Sequence, residues 1–334
     1  MLITQKIDRR NLVLDVLRGV AVLGLLLVKF PGNPNYVYTI LHYPEGNMLT
    51  DMLYSFFLFA IGVSMFYSFS KHEFSWSKRI AVKIGKRVAL LLGISVALDL
   101  LNMIDSRTPH FFEIFELYYV AVSYGLAALL VLWLKRLRFL IAVVLLLTIV
   151  CCQVFLPLPV SVLRMLPSMI IVLTGYVTIV LCHGRTSRLL LSLGLFIVGL
   201  SCFLIGSVWE HTVPVNTIFV IKSVSYSWIS YACLIFFIDV CKWSRWTYLF
   251  TIFGKNALLA YILSAVSAIL FGKIIVWMTS AGSTISISQW FYKNVCAALF
   301  GNNEAGSLCY ALVCALLVWL VAWLFYRWKI FIKA

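Results

Sequence analysis

Carboxylates are scarce in this chain: Asp and Glu together number 12 in 334 residues, and charged residues of both signs make up only 12%. A soluble domain carries about 25% charged and 45–50% apolar residues. At 63% hydrophobic and a mean hydropathy of +1.01, a water-soluble domain is excluded. The common catalytic motifs are missing too. There is no HExxH, no P-loop and no GxSxG, which removes zinc-protease, nucleotide-hydrolase and nucleophile-elbow chemistry. The nine cysteines include no CxxC pair, so neither a structural zinc site nor a dithiol redox centre is expected, and no metal is called for. No polar linker or low-complexity block divides the chain, and no small-residue cleavage site follows the first apolar run. One domain over residues 1–334, with its first helix retained, is the expectation.

What the sequence has in quantity is apolar runs. A hydrocarbon core of about 30 Å takes roughly 20 residues to cross as a helix, and about ten segments qualify. They lie at 12–30, 48–70, 79–101, 112–134, 137–156, 161–182, 187–207, 217–241, 249–278 and 306–331. Open strands and loops cannot satisfy their backbone in lipid, so these segments are helices and the fold class is all-α, a polytopic membrane helix bundle. The mixed stretch 286–300 is expected to be interfacial or re-entrant.

The net charge of +15 would point to nucleic acid in a soluble protein. Here it sorts by side. Lys6, Arg9 and Arg10, the cluster from Lys71 to Arg87, Lys135 to Arg138, Arg185, Arg188, Lys242, Arg245 and the C-terminal Arg327, Lys329 and Lys333 all fall on one face. The alternating connections carry mostly acidic or neutral residues, Glu45, Asp105, Glu113, Glu210 and Glu304, with Arg107 and Lys293 as the exceptions. By the positive-inside rule the basic face is cytoplasmic, and both termini with it. A bilayer partner and no nucleic acid follow.

A charge inside a spanning helix costs about 2.5–3.5 kcal/mol on insertion scales, so each such residue is a functional candidate. Asp15 and Arg18 in LDVLRG are three residues apart and share a helix face. They read either as a local ion pair or as a charged mouth where Arg18 holds a phosphate. Lys29 ends the first helix and either snorkels or serves chemistry. His42, in the loop 31–49 rich in proline and aromatics, suits a general base near neutral pH. Asp51 opens the second helix as a cap or as the carboxylate that orients His42. Lys255 and Asn256 in FGKNALLAYIL sit at the level of Arg18, where a lysine meets an anionic ligand. The cysteines read as small core residues, with a disulfide between Cys296 and Cys309 across the outer tip GNNEAGS as the less favoured alternative.

Three blocks in the first seventy residues, LDVLRGVAVLGLLLV, KFPGNPNYVYTILH and TDMLYSFFLFAIGVSMFYSFSK, resemble the heparan-α-glucosaminide N-acetyltransferase family and its bacterial relatives, in that family's order and spacing. LRMLPSMIIVLTGYV, the Pro214–Asn216 segment with Ser223, and FGKNALLAYILS resemble later family segments. The resemblance implies acyl transfer from cytoplasmic acyl-CoA, acetyl-CoA above all, to an amino sugar or envelope glycan on the outer side of a bacterial inner membrane. It places His42 at the family's catalytic histidine and Asp51 at its carboxylate. Lys29 stands where members usually carry asparagine, as an oxyanion partner. Asp15, Arg18, Lys255, Asn256, Asn216 and Ser223 are then expected around the donor. The chain departs from the family again with Ser55 for a proline and Tyr118-Tyr119 for a Gln-Arg pair. A glycan or lipid-linked sugar flippase and an inactive membrane scaffold are the competing readings, and a homodimer is left open.

Overall fold

The computed structural model describes residues 2–30, 32, 48–70, 77–103, 115–134, 140, 141, 143, 144, 160–183, 187–209, 215–278 and 284–330. For residues 2–11, 48, 49, 51, 102, 103, 115, 116, 160–164, 215 and 216 it describes the backbone alone. Helices stand where the apolar runs predict them: α1 (Leu2–Lys29), α2 (Met48–Ser70), α3 (Lys78–Met103), α4 (Phe115–Leu134), α5 (Val160–Cys182), α6 (Arg188–Val208) and α7 (Val215–Ile235), which ends in a π-helical turn, Phe236–Val240. The expected helix at 137–156 lies largely outside the described residues. Seven of the described helical segments are long and apolar enough to cross a membrane. The protein is an integral, multi-pass helical membrane protein.

The run 249–278, expected as one span, is broken. It comprises α8 (Thr247–Lys255), α9 (Ala257–Ile269), a π-helical turn at Leu270–Ile274 and strand β1 (Val276–Met278). The break falls at Asn256, whose φ of −119° and ψ of 35° leave the helical region. Its fully buried side chain reaches α12 (Glu304–Arg327), with Nδ2 donating to the Ala322 carbonyl at 3.4 Å. Among the described residues, an antiparallel pair of β1 with β2 (Thr284–Ser286) departs from the helical pattern. The stretch 286–300 follows as α10 (Ile287–Phe291), a π-helical turn and α11 (Ala297–Phe300).

The main core gathers α1, α2, α4, α5 and α7 around Phe56, Phe59, Phe69, Ile171 and Leu173. Close approach of α2 to α5 rests on two glycines: a Cβ on Gly62 would collide with the Val172 carbonyl, and one on Gly175 with the Phe59 carbonyl. Small residues at such crossings let helices pack where lipid offers no hydrophobic drive. α6 and α12 instead turn apolar side chains outward, Ile197, Val208, Leu316 and Leu317 among them. In water that surface would be an aggregation liability; in a bilayer it is the solvated face.

Candidate functional site

Two features flank opposite ends of the apolar half of α1. At the first, Arg18 Nη1 lies 3.9 Å from Asp15 Oδ1, the i, i+3 pair the sequence predicts. The fold then adds cations from two other helices. Lys255, at the end of α8, comes within electrostatic reach of Asp15, and Arg87 of α3 within reach of Arg18. Asp15 thus faces two cations, and a third, Arg87, stands beside Arg18. Lys255 Nζ lies 5.2 Å from the centre of the Tyr326 ring, and the Arg87 guanidinium 4.3 Å from that of Tyr124. Arg87 Nε is buried and has no hydrogen-bond acceptor among the described residues. An unpaired buried donor costs about 1–3 kcal/mol, more when charged. Like charges brought together with an orphaned N–H make a site suited to an anion.

α8 is held against α1 closely enough for this by another pair of glycines. A Cβ on Gly254 would strike the Asp15 carbonyl, and one on Gly19 the Phe250 carbonyl. The glycine of LDVLRG is therefore a packing requirement as well as a motif letter.

At the second feature, Lys29 lines a cavity of about 330 Å³ together with Thr50, Tyr54 and Phe57 of α2, Leu117 and Val120 of α4, and Ala257, Leu258, Tyr261 and Ser264 of α9. Lys29 Nζ sits 4.9 Å from the Tyr261 ring centre. Tyr54 Oη pairs with Ser168 Oγ at 3.4 Å. Thr50 and Tyr54 bring the first turn of α2, and with it the backbone of Asp51, to the same cavity as Lys29. His42 lies outside the described residues.

The cavity runs along α1 from Lys29 to Val22. Its far end falls one helical turn from the cationic cluster on two helices: Val22 follows Arg18 by four residues, and Val120 precedes Tyr124 by four. On α9, Leu258 follows Lys255 by three. Arg18, Arg87 and Lys255 do not themselves line it. The cavity thus stops about one helical turn, roughly 5 Å, short of the cationic cluster.

The family described as heparan-alpha-glucosaminide N-acetyltransferase, catalytic, matches the chain over residues 10–180. The chain belongs to this family. No curated protein matches it. The matched region spans α1 to α5 and so contains Asp15, Arg18, Lys29, His42, Asp51 and Arg87, and membrane acetyltransferase character comes with it. Lys255 and Asn256 lie beyond residue 180 and reach the vicinity through folding alone.

The remaining sequence candidates fall elsewhere. Asn256 directs its amide to α12, and its buried Oδ1 has no partner among the described residues. Ser223 is buried in α7, where its carbonyl accepts from Ser227 Oγ, and it lines neither cavity that holds Lys29. Asn216 opens α7 with only its backbone described. Tyr118 and Tyr119 form an edge-to-face pair with centroids 5.8 Å apart. Cys296 and Cys309 do meet, as hydrogen-bonded free thiols. Sequence reasoning missed Arg87, which looked like one more cytoplasmic cation, and the cavity tyrosines Tyr54 and Tyr261. Arg87 was findable in principle, since it stands about two turns inside an apolar helix rather than at its end.

Proposed function

We propose that this protein transfers an acyl group, acetyl in the simplest case, from acyl-CoA held at the Arg18 end to an amino sugar or glycan acceptor at the Lys29 end. The observation that carries this is the alignment along α1: the cavity shared by Lys29, Thr50 and Tyr54 ends one turn from the cluster of Arg18, Arg87 and Lys255. Arg18 and Lys29 are eleven residues apart, about 16 Å of helix rise, a span an extended thioester arm can bridge.

In this reading Arg18, Arg87 and Lys255 hold the donor phosphates, with Asp15 fixing Arg18, and guanidinium forks supply bidentate contacts. Lys29 stabilises the oxyanion that forms when the thioester carbonyl is attacked. His42 takes the proton from the acceptor amine or hydroxyl, or accepts the acyl group first, and Asp51 orients it. The thiol of CoA leaves. The cationic end faces the cytoplasm of a bacterial inner membrane, both termini with it, and the acceptor is met on the other side. The chain acts as one domain without a metal.

The test is acetyl transfer from radiolabelled acetyl-CoA to glucosamine by protein in nanodiscs. The wild type should label the sugar and His42→Ala should not; undiminished transfer by purified His42→Ala sinks the mechanism. A flippase, by contrast, would neither bind nor consume acetyl-CoA.

A further inference from the structure

Lys29 and Ala268 line a second cavity besides the one described above. This groove, of about 490 Å³, runs between α9 with its π-helical turn and α12, and is walled by Leu263, Val266, Phe271, Leu317 and Val321. Its volume is in the range of small-molecule sites. Phe271 and Leu317 are exposed, so the groove opens on the membrane-facing flank of the bundle. Its polar lining comprises Lys29 at the end of α1, Ser288 and Gln289 of α10 and Tyr310 early in α12, with Ser267 and Cys314 further along the two walls. An apolar trough with a cation and hydroxyls near one end is complementary to an amphiphile with an anionic head, not to a free sugar. The π-helical turn at Leu270–Ile274 opens the α9 wall there, and such turns recur at functional sites.

We propose that this groove seats the tail of a phosphate-headed membrane lipid, its phosphate on Lys29, so that the acceptor reaches the transfer cavity sideways from the bilayer as a lipid-linked group. This rests on the reading of the neighbouring cavity as the transfer site and names the acceptor's class. Because Lys29 lines both cavities, a head group held by it stands at the mouth of the cavity where the acyl group would arrive.

The experiment is photolabelling in phosphatidylcholine nanodiscs with a diazirine-tagged isoprenyl phosphate, and with the matching isoprenol as control. The phosphate probe should label peptides from 263–271 and 314–321, and untagged isoprenyl phosphate should compete. A lysine near anionic lipid contributes about 1 kcal/mol, so Lys29→Gln should cut labelling about fivefold. Ser267→Trp, and the membrane-facing Leu317→Trp should the first fail to fold, fill the groove and should abolish it. Equal labelling by the isoprenol, labelling spread over the exposed face of α6, or full labelling of a Trp variant that folds would overturn the proposal. Acetyl-CoA binding, measured on the same preparations, should be unchanged in the Trp variants. Its loss in the wild type would sink the donor reading and leave the lipid result standing.

Discussion

Arg87 of α3 stacks its guanidinium on Tyr124 of α4 at 4.3 Å, within electrostatic reach of Arg18, and its buried Nε–H has no acceptor among the described residues. This places a cation from the third helix at a site whose other cations come from the first and eighth.

Arg87→Gln should therefore weaken acetyl-CoA binding. A charge-assisted hydrogen bond contributes about 1.5–3 kcal/mol, which corresponds to roughly ten- to hundredfold in Kd. Arg87→Lys should recover part of that, since the charge returns without the fork. Isothermal titration in nanodiscs measures both, and an unchanged Kd for Arg87→Gln would remove the residue from the donor site.

Lys29 should act on the rate rather than on donor binding. Removing an oxyanion partner costs about a hundredfold or more in kcat, so Lys29→Met should show that loss with little change in Kd for acetyl-CoA. Lys29→Asn restores the residue common in the family and should keep part of the activity through its amide N–H. Equal loss in both variants, each with weakened donor binding, would speak for a packing role on Tyr261 instead.

The turn of helix between the cluster and the cavity is open to a direct test. Val120→Phe adds bulk at the cavity's inner end. It should suppress transfer while leaving the affinity for 3′,5′-ADP, which carries phosphates and no thioester arm, as in the wild type. Full transfer activity in this variant would mean the arm takes another route.

Gly254→Ala drives a methyl group into the Asp15 carbonyl. Overpacking of this kind costs about 1–3 kcal/mol. Thermal unfolding monitored by tryptophan fluorescence should begin at lower temperature, and acetyl-CoA binding should weaken with it, because α8 carries Lys255. Gly93→Ala on α3, where an added Cβ meets nothing within 4 Å, is the matched control and should leave both unchanged.

Cys296 and Cys309 are hydrogen-bonded thiols. A mild oxidant such as copper phenanthroline should join them. Maleimide counting should then find two fewer thiols than before, and Cys309→Ser should abolish the difference.

The sequence by itself determined where the helices lie, because a segment that enters hydrocarbon must satisfy its own backbone and can do so only as a continuous helix of sufficient length. It also determined the Asp15–Arg18 pair, since three residues along a helix leave no freedom in which faces meet. Only the tertiary structure decided which distant residues join that pair. The apolar pattern of α3 is compatible with Arg87 facing several neighbours, and nothing local in FGKNALLAYIL signals that the helix breaks at Asn256 to set Lys255 beside Asp15. Those choices depend on which helix surfaces pack together; for Lys255 the approach is fixed at Gly19 and Gly254, whose backbone partners lie more than two hundred residues away in sequence. Lys29 shows both levels at once: the sequence marks it as a charge at a helix end, and the packing of α2, α9 and α12 around it makes it the charged residue that lines both cavities.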